Sequence, residues 1–109
     1  MYIPEQGDIV AFSFDPSSGK EIIKRRPAIV LSRSIFNERT GFAVVAPITR
    51  TLRSNALEVV LPAGLETTGA VMVYQLKSLD YHEREAAFIE KVPAGVIQKV
   101  QSIARAILS

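Results

Sequence analysis

Three consecutive cations, Lys24, Arg25 and Arg26, stand in the stretch DPSSGKEIIKRRPAIVL, residues 15–31, where a turn-rich loop runs into an apolar segment that begins at Pro27. A guanidinium is a planar fork matched to phosphate oxygens, so cations held at the mouth of a strand suit the binding of a phosphodiester. The rest of the chain narrows the chemistry by what it omits. His82 is the one histidine and cysteine is absent, so neither a histidine pair for proton relay nor a thiolate nucleophile can be assembled. In YHERE, residues 81–85, His82, Glu83 and Glu85 crowd what reads as a tight turn, and a solvated polar turn fits that spacing better than a set of metal ligands. No glycine motif for cradling phosphates is present. Arginine, lysine, threonine and one well-placed glutamate are left, and they call for no metal and no cofactor.

The cations are concentrated. Residues 19–53 hold Lys20, Lys24, Arg25, Arg26, Arg33, Arg39, Arg50 and Arg53 against Glu21 and Glu38, a local +6 that leaves the remainder at −4 within an overall +2. If the fold gathers these side chains on one face they form a footprint for nucleic-acid phosphates. A solvated basic surface that binds nothing accounts for the charge alone equally well. With 109 residues, 48% apolar and 22% charged, the chain is expected to form one domain over residues 1–109 with a real core. The start MYIPEQGD carries no basic-then-apolar export signal, and no apolar run is long enough to cross a bilayer. Those features predict a soluble protein away from the membrane, and a cytoplasmic location fits them.

The elements that must position the cations read as strands first and a helix last. DIVAFSF alternates, with Val10, Phe12 and Phe14 on one side and Ile9, Ala11 and Ser13 on the other. PAIVLS and FAVVAP are nearly continuous apolar runs, as expected of strands covered on both faces, and LEVVL, AVMVYQL and EAAFIEKV supply three more. Asp-Pro, Ser-Gly, Thr-Gly and Pro-Ala-Gly signals between them predict a small closed or strongly curled antiparallel sheet. After Pro93, apolar residues at Val96, Ile97, Val100, Ile103, Ala104, Ile107 and Leu108 recur in steps of three and four, an amphipathic helix expected to pack on the sheet. A short helical turn is expected over SRSIFNER, residues 32–39.

Taken in order, GDIVAFSFDPSSGKEIIKRRPAIVLS, FN, TGFAVVAPIT and VYQLKSLD resemble the MazF/PemK family of toxin endoribonucleases, whose members run GDIV-FDP-x-x-G-x-E, RPA-VLS, N-x-x-T-G, P-x-T and Q-x-K-S-x-D. No piece is specific alone; the ordered set, from Gly7 to the closing helix, is. The resemblance implies a mainly β fold with a C-terminal helix, a small antiparallel barrel of the SH3-like or plasmid-toxin type. It implies a homodimer, metal-independent cleavage of single-stranded RNA, control by a partly disordered MazE-like antitoxin, and binding of operator DNA as the toxin–antitoxin complex. A related fold serves toxins that poison DNA gyrase, but those share a tryptophan-containing C-terminal end, whereas this chain has no tryptophan and ends AILS. A non-catalytic nucleic-acid-binding barrel is the other alternative.

Carried over residue by residue, the family's functional positions fall on Arg26, Thr49 and Glu21. Their residue types suit attack by the RNA's own 2′-hydroxyl, with Glu21 as general base, Thr49 donating to a phosphoryl oxygen, and Arg26 stabilising the added charge and standing as candidate proton donor. Each has a structural alternative: an ion pair of Arg26 with Asp15 or Glu21, a Thr49 hydroxyl capping a strand end, and a Glu21 solvated on its loop. Lys20, Lys24, Arg25 and Arg50 are expected to follow the RNA backbone. Gln75 and Lys77 match the Q-x-K of the pattern and are expected to touch a base or phosphate, or to serve a strand end. Tyr74 stands where many relatives carry an acid, and it suits stacking on an unpaired base or packing within a strand.

Overall fold

The computed structural model describes residues 1–14, 25–51 and 55–109. Among them, the strands are β1 (Asp8–Ser13), β2 (Arg25–Val30), β3 (Phe42–Thr49), β4 (Glu58–Val60), β5 (Ala70–Met72), β6 (Lys77–Asp80) and β7 (Ala87–Lys91). Helix α1 (Ser34–Thr40) joins β2 to β3, and α2 (Ala94–Leu108) follows β7. The strand order is β4-β5-β3-β2-β1-β7, with β6 also on β3, and the recorded pairs are antiparallel. The sheet is the curled antiparallel kind expected, but its strand path is open, with β4 and β7 at its ends.

The eight-residue β3 organises the sheet. One edge pairs with β2; the other is shared, Phe42–Val45 with β6 and Ile48–Thr49 with β5. Continuing the β6 register would set Ile48 opposite Tyr74, yet Ile48 lies opposite Val71. Three extra residues are therefore accommodated, and they are the 3₁₀ turn Val73–Gln75, whose first N–H donates to the Leu57 carbonyl. The run AVMVYQL, expected as one strand, is thus β5 and a turn leading into β6. A continuous apolar run carries no mark of that break, because Val73 at the turn is as buried as its strand neighbours.

Two cores flank the strands. Ile9, Ile29, Ala46, Ile48 and Val71 pack with Val96, Val100 and Ala104 of α2; on the other face Val10, Phe12, Phe14, Ala28, Val30 and Val45 surround Tyr81. This is why PAIVLS and FAVVAP read as continuous apolar runs. Alternation in β1 holds in direction, but Ile9 is buried as fully as Val10, and a bulge between them shifts the pairing with β7. Helix α2 starts after Pro93, as expected, while Ile107 and Leu108 in its last turn are exposed at 40% and 74%.

Buried polar groups tie the periphery down. Helix α1, at the expected place, sends Asn37 inward, where its amide donates to the Pro4 carbonyl at 2.8 Å and accepts from the Ser32 hydroxyl, while Tyr81 Oη donates to the Asn37 carbonyl at 3.0 Å. Asp8, 2% exposed, accepts from Tyr2 Oη and the Glu5 N–H and lies 2.9 Å from Lys91 Nζ. That contact is an ion pair without hydrogen-bond geometry, since Asp8 Oδ1 makes no hydrogen bond. The Asp8 carboxylate beside it, partly offset by burial and aided by Glu5, raises the Lys91 pKa.

Candidate active site

The cations at the start of β2 face the end of β3. Ala28 lies opposite Pro47, and continuing that register sets Arg26 opposite Thr49, on one face of the sheet. Arg25, Arg26 and Pro27 from β2, with Ile48, Thr49 and Arg50 from the end of β3, line one side of a cleft of about 520 Å³. Thr51, Glu66, Thr67, Thr68 and Ile89 complete it. Arg26, Thr49, Arg25 and Arg50 are therefore brought together. Glu21, Lys20 and Lys24 lie outside the described residues, as does Asp15, the alternative partner for Arg26.

Thr49 is held from two sides. Its hydroxyl accepts from the Thr51 N–H at 3.2 Å, the strand-end capping role that residue type suggested, and a hydroxyl that accepts retains its hydrogen for donation. Behind it, Gly69 presses on the Thr49 main chain: a Cβ at Gly69 would sit 2.2 Å from the Thr49 carbonyl oxygen, and its φ of +126° is one that side-chain-bearing residues rarely adopt. Thr49 is 5% exposed, so the hydroxyl is set in the wall rather than on a flexible rim.

Arg25 ties neighbouring elements together. Its guanidinium donates to Ser13 Oγ at 3.2 Å and to the Glu85 carbonyl at 2.8 Å, tying the β2 entrance to the end of β1 and to the turn after β6. Glu85 has φ +55°, and in the same turn Asp80 Oδ1 accepts the N–H groups of His82 and Glu83. The tight turn expected over YHERE is present, with the Asp80 carboxylate spent on its own backbone.

Gln75 and Lys77 are placed elsewhere. Gln75 ends the 3₁₀ turn and donates to Met72 Sδ at 3.9 Å, and Lys77 opens β6 opposite Val45; neither lines the cleft. Tyr74, on the same turn, is 37% exposed and also lies off the cleft.

Sequence reasoning missed the opposite wall. Glu90 on β7 accepts from the Glu66 N–H at 3.1 Å and the Thr67 N–H at 2.8 Å, so a β7 side chain grips the loop between β4 and β5, where the two ends of the open strand path come together. Burial works to raise the Glu90 pKa, but hydrogen bonds from the Thr67 hydroxyl and from the two N–H groups outweigh it and hold the carboxyl below its ordinary value. The stretch LETTG offered a signal, a carboxylate beside two hydroxyls ahead of a glycine, though it reads as turn punctuation alone. Glu90 offered none, since a charged residue in a strand such as EAAFIEKV is ordinary.

A cleft lined by three arginines, a wall-mounted hydroxyl and half-buried apolar patches at Pro27 and Ile89 suits a nucleic-acid strand at one phosphate. A sequence profile of PemK-like, MazF-like toxins of type II toxin–antitoxin systems matches residues 5–108. The endoribonuclease toxin MazF of Escherichia coli strain K12 is 38% identical over 85 residues, covering 78% of this chain and 76% of that protein. A crystal structure of MazF from Deinococcus radiodurans superposes with a TM-score of 0.95 at 35% identity, covering 99% of this chain and 98% of that one. A crystal structure of a MazE–MazF complex from the same organism gives 0.88 at 35% identity, covering 99% and 97%.

Proposed function

Since the chain belongs to the PemK-like, MazF-like toxin family of type II toxin–antitoxin systems, we propose that it is an endoribonuclease that cuts single-stranded RNA at the cleft between β2 and β3 and is held in check by a cognate antitoxin. The observation that carries this is the placement of Arg26 and Thr49 on one face of one cleft, flanked by Arg25 and Arg50.

The reaction needs no external nucleophile. The 2′-oxygen of the RNA attacks the adjacent phosphorus, its proton passes to a base, and the bond to the 5′-oxygen breaks as that oxygen takes up a proton, leaving a 2′,3′-cyclic phosphate and a 5′-hydroxyl. Arg26 stabilises the charge gathering on the phosphoryl oxygens and stands as the candidate donor to the leaving oxygen. Thr49 donates one neutral hydrogen bond to a phosphoryl oxygen. Glu21 takes the 2′-hydroxyl proton. Arg25, Arg50, Lys20 and Lys24 follow the backbone to either side, and Gln75 and Lys77 meet RNA beyond the cleft. No step calls for a metal or cofactor. The protein works in the cytoplasm, where its RNA is, and binds operator DNA as part of the toxin–antitoxin complex.

It acts as a homodimer. The resemblance suggests this, and an apolar groove of about 520 Å³ between the end of α2 and the sheet, lined by Leu31, Val44, Leu76, Ala104 and Leu108, supplies surface for a second copy. The enzymatic reading is tested by incubating the pure protein with a long single-stranded RNA in excess chelator. Wild-type protein should cut, and Arg26→Ala should be about a hundredfold to a thousandfold slower, as when a preorganised charge stabiliser is removed. Binding without cutting would leave a nucleic-acid-binding barrel instead.

A further inference from the structure

We propose that the Glu66 carboxylate reads a nucleobase bearing an exocyclic amine beside the scissile phosphate, with Glu90 as the positioning residue that holds it there; this rests on the reading of the cleft as an RNA-cleaving site. A cleft that served phosphates alone would gain from cations and lose from any anion, since a carboxylate repels the strand the guanidiniums attract. This cleft nevertheless sets Glu66 among its lining residues, exposed, together with Arg25, Arg26 and Arg50.

The backbone beneath Glu66 is fixed. Glu90 takes the N–H of Glu66 on one carboxylate oxygen and the N–H of Thr67 on the other, at 3.1 and 2.8 Å. Three residues further on, Gly69 is pressed against the Thr49 carbonyl, and Thr67 between them is buried. The segment from Glu66 to Gly69 is thus pinned at both ends, and its one carboxylate is carried on that fixed backbone in the cleft that Thr49 also lines. Pro27 and Ile89, half-buried in the same cleft, offer the apolar surface that the face of a base needs and a phosphate does not.

The chemistry of the reader defines what it reads. An ionised carboxylate only accepts hydrogen bonds, so its complement is a donor edge. Adenine, cytosine and guanine each carry an exocyclic amine, and guanine sets a ring N–H beside it, whereas uracil turns two carbonyl oxygens toward a carboxylate with one N–H between them. Glu66 therefore favours an amine-bearing base and disfavours uracil at one position next to the cut.

The test is the rate of cutting across an RNA pool randomised around the scissile bond, using the full chain and its Glu66→Ala, Glu66→Gln and Glu90→Gln variants. For wild type, an amine-bearing base should be preferred over uracil by about tenfold or more at one flanking position. In Glu66→Ala the amine-bearing sites should fall to the uracil level there, while preferences at other positions persist. Glu66→Gln, nearly isosteric and able to donate as well as accept, should admit uracil. Glu90→Gln should weaken that same preference and no other, which a general loss of stability would not do. The assignment is overturned if both Glu66 variants keep the wild-type preference, or if they bind RNA normally and cut no sequence, which would make the carboxylate a proton acceptor. A wild-type protein that cuts no RNA removes the reading of the cleft and this assignment with it.

Discussion

Replacing Gly69 by alanine should damage both the fold and the site, by separable amounts. The backbone there has φ +126°, which costs a side-chain-bearing residue about 1–3 kcal/mol. The new Cβ would start 2.2 Å from the Thr49 carbonyl oxygen and 2.8 Å from its carbon. Since real Cβ atoms do not approach closer than 3.0 Å, one main chain or the other must give way by about 1 Å. At roughly 4 °C per kcal/mol for a domain of this size, the strain alone should lower Tm by about 4–12 °C. A shift of about 1 Å in a positioned group costs on the order of a hundredfold in rate, so cutting per folded molecule should fall at least tenfold at a temperature where the variant is fully folded. Gly41→Ala is the control: φ is +76° at the end of α1 and nothing lies within 4 Å of the added Cβ, so it should lose about 1 kcal/mol and leave cutting per folded molecule as it was. Thermal unfolding and single-turnover cleavage of the three proteins decide it. A Gly69→Ala protein that melts lower but cuts like wild type would refute the claim that Gly69 sets the position of Thr49.

Two further outcomes follow from other parts of the structure. Glu90 titrates below its ordinary 4.5 in the folded chain, so the folded state binds fewer protons; its contribution should be complete above that value and vanish as pH falls through the lowered one. Chemical denaturation between about pH 2 and pH 7 should show that loss in wild type and a flatter profile in Glu90→Gln, and identical profiles would contradict it. Light scattering at micromolar concentration should give twice the mass of one 109-residue chain; an active monomer would remove the assignment of the apolar groove at α2 to a second copy.

The strands other than β6, both helices and the cation-bearing entrance to β2 were legible because their signals are local: alternation in DIVAFS, a three-and-four spacing after Pro93, a proline opening an apolar run. The division of AVMVYQL was not, because it arises from β3 sharing one edge between two partners at registers three residues apart. The meeting of Arg26 and Thr49 was legible only through the ordered resemblance, since 22 residues separate them and register alone brings them face to face. Glu90 and Glu66 were illegible for the same reason: 24 residues apart, they meet where two sheet ends approach, and no local pattern records that approach. Arg25 shows the limit of residue type. Nothing in its sequence neighbourhood records that Ser13 and the Glu85 carbonyl occupy its fork.

Cleavage by the RNA's own 2′-hydroxyl is the center of the account, and one substrate tests it most directly: an RNA carrying a single 2′-deoxy nucleotide on the 5′ side of the scissile phosphate. Its phosphates are intact, so it should bind the cleft with affinity close to that of the all-ribose strand and compete with it. In chelator it should remain uncut, while the all-ribose strand yields a 2′,3′-cyclic phosphate and a 5′-hydroxyl. Cutting of the deoxy-substituted strand at the wild-type rate, or products ending in a 5′-phosphate, would mean that water is the nucleophile and would contradict the roles given to Arg26, Thr49 and Glu21.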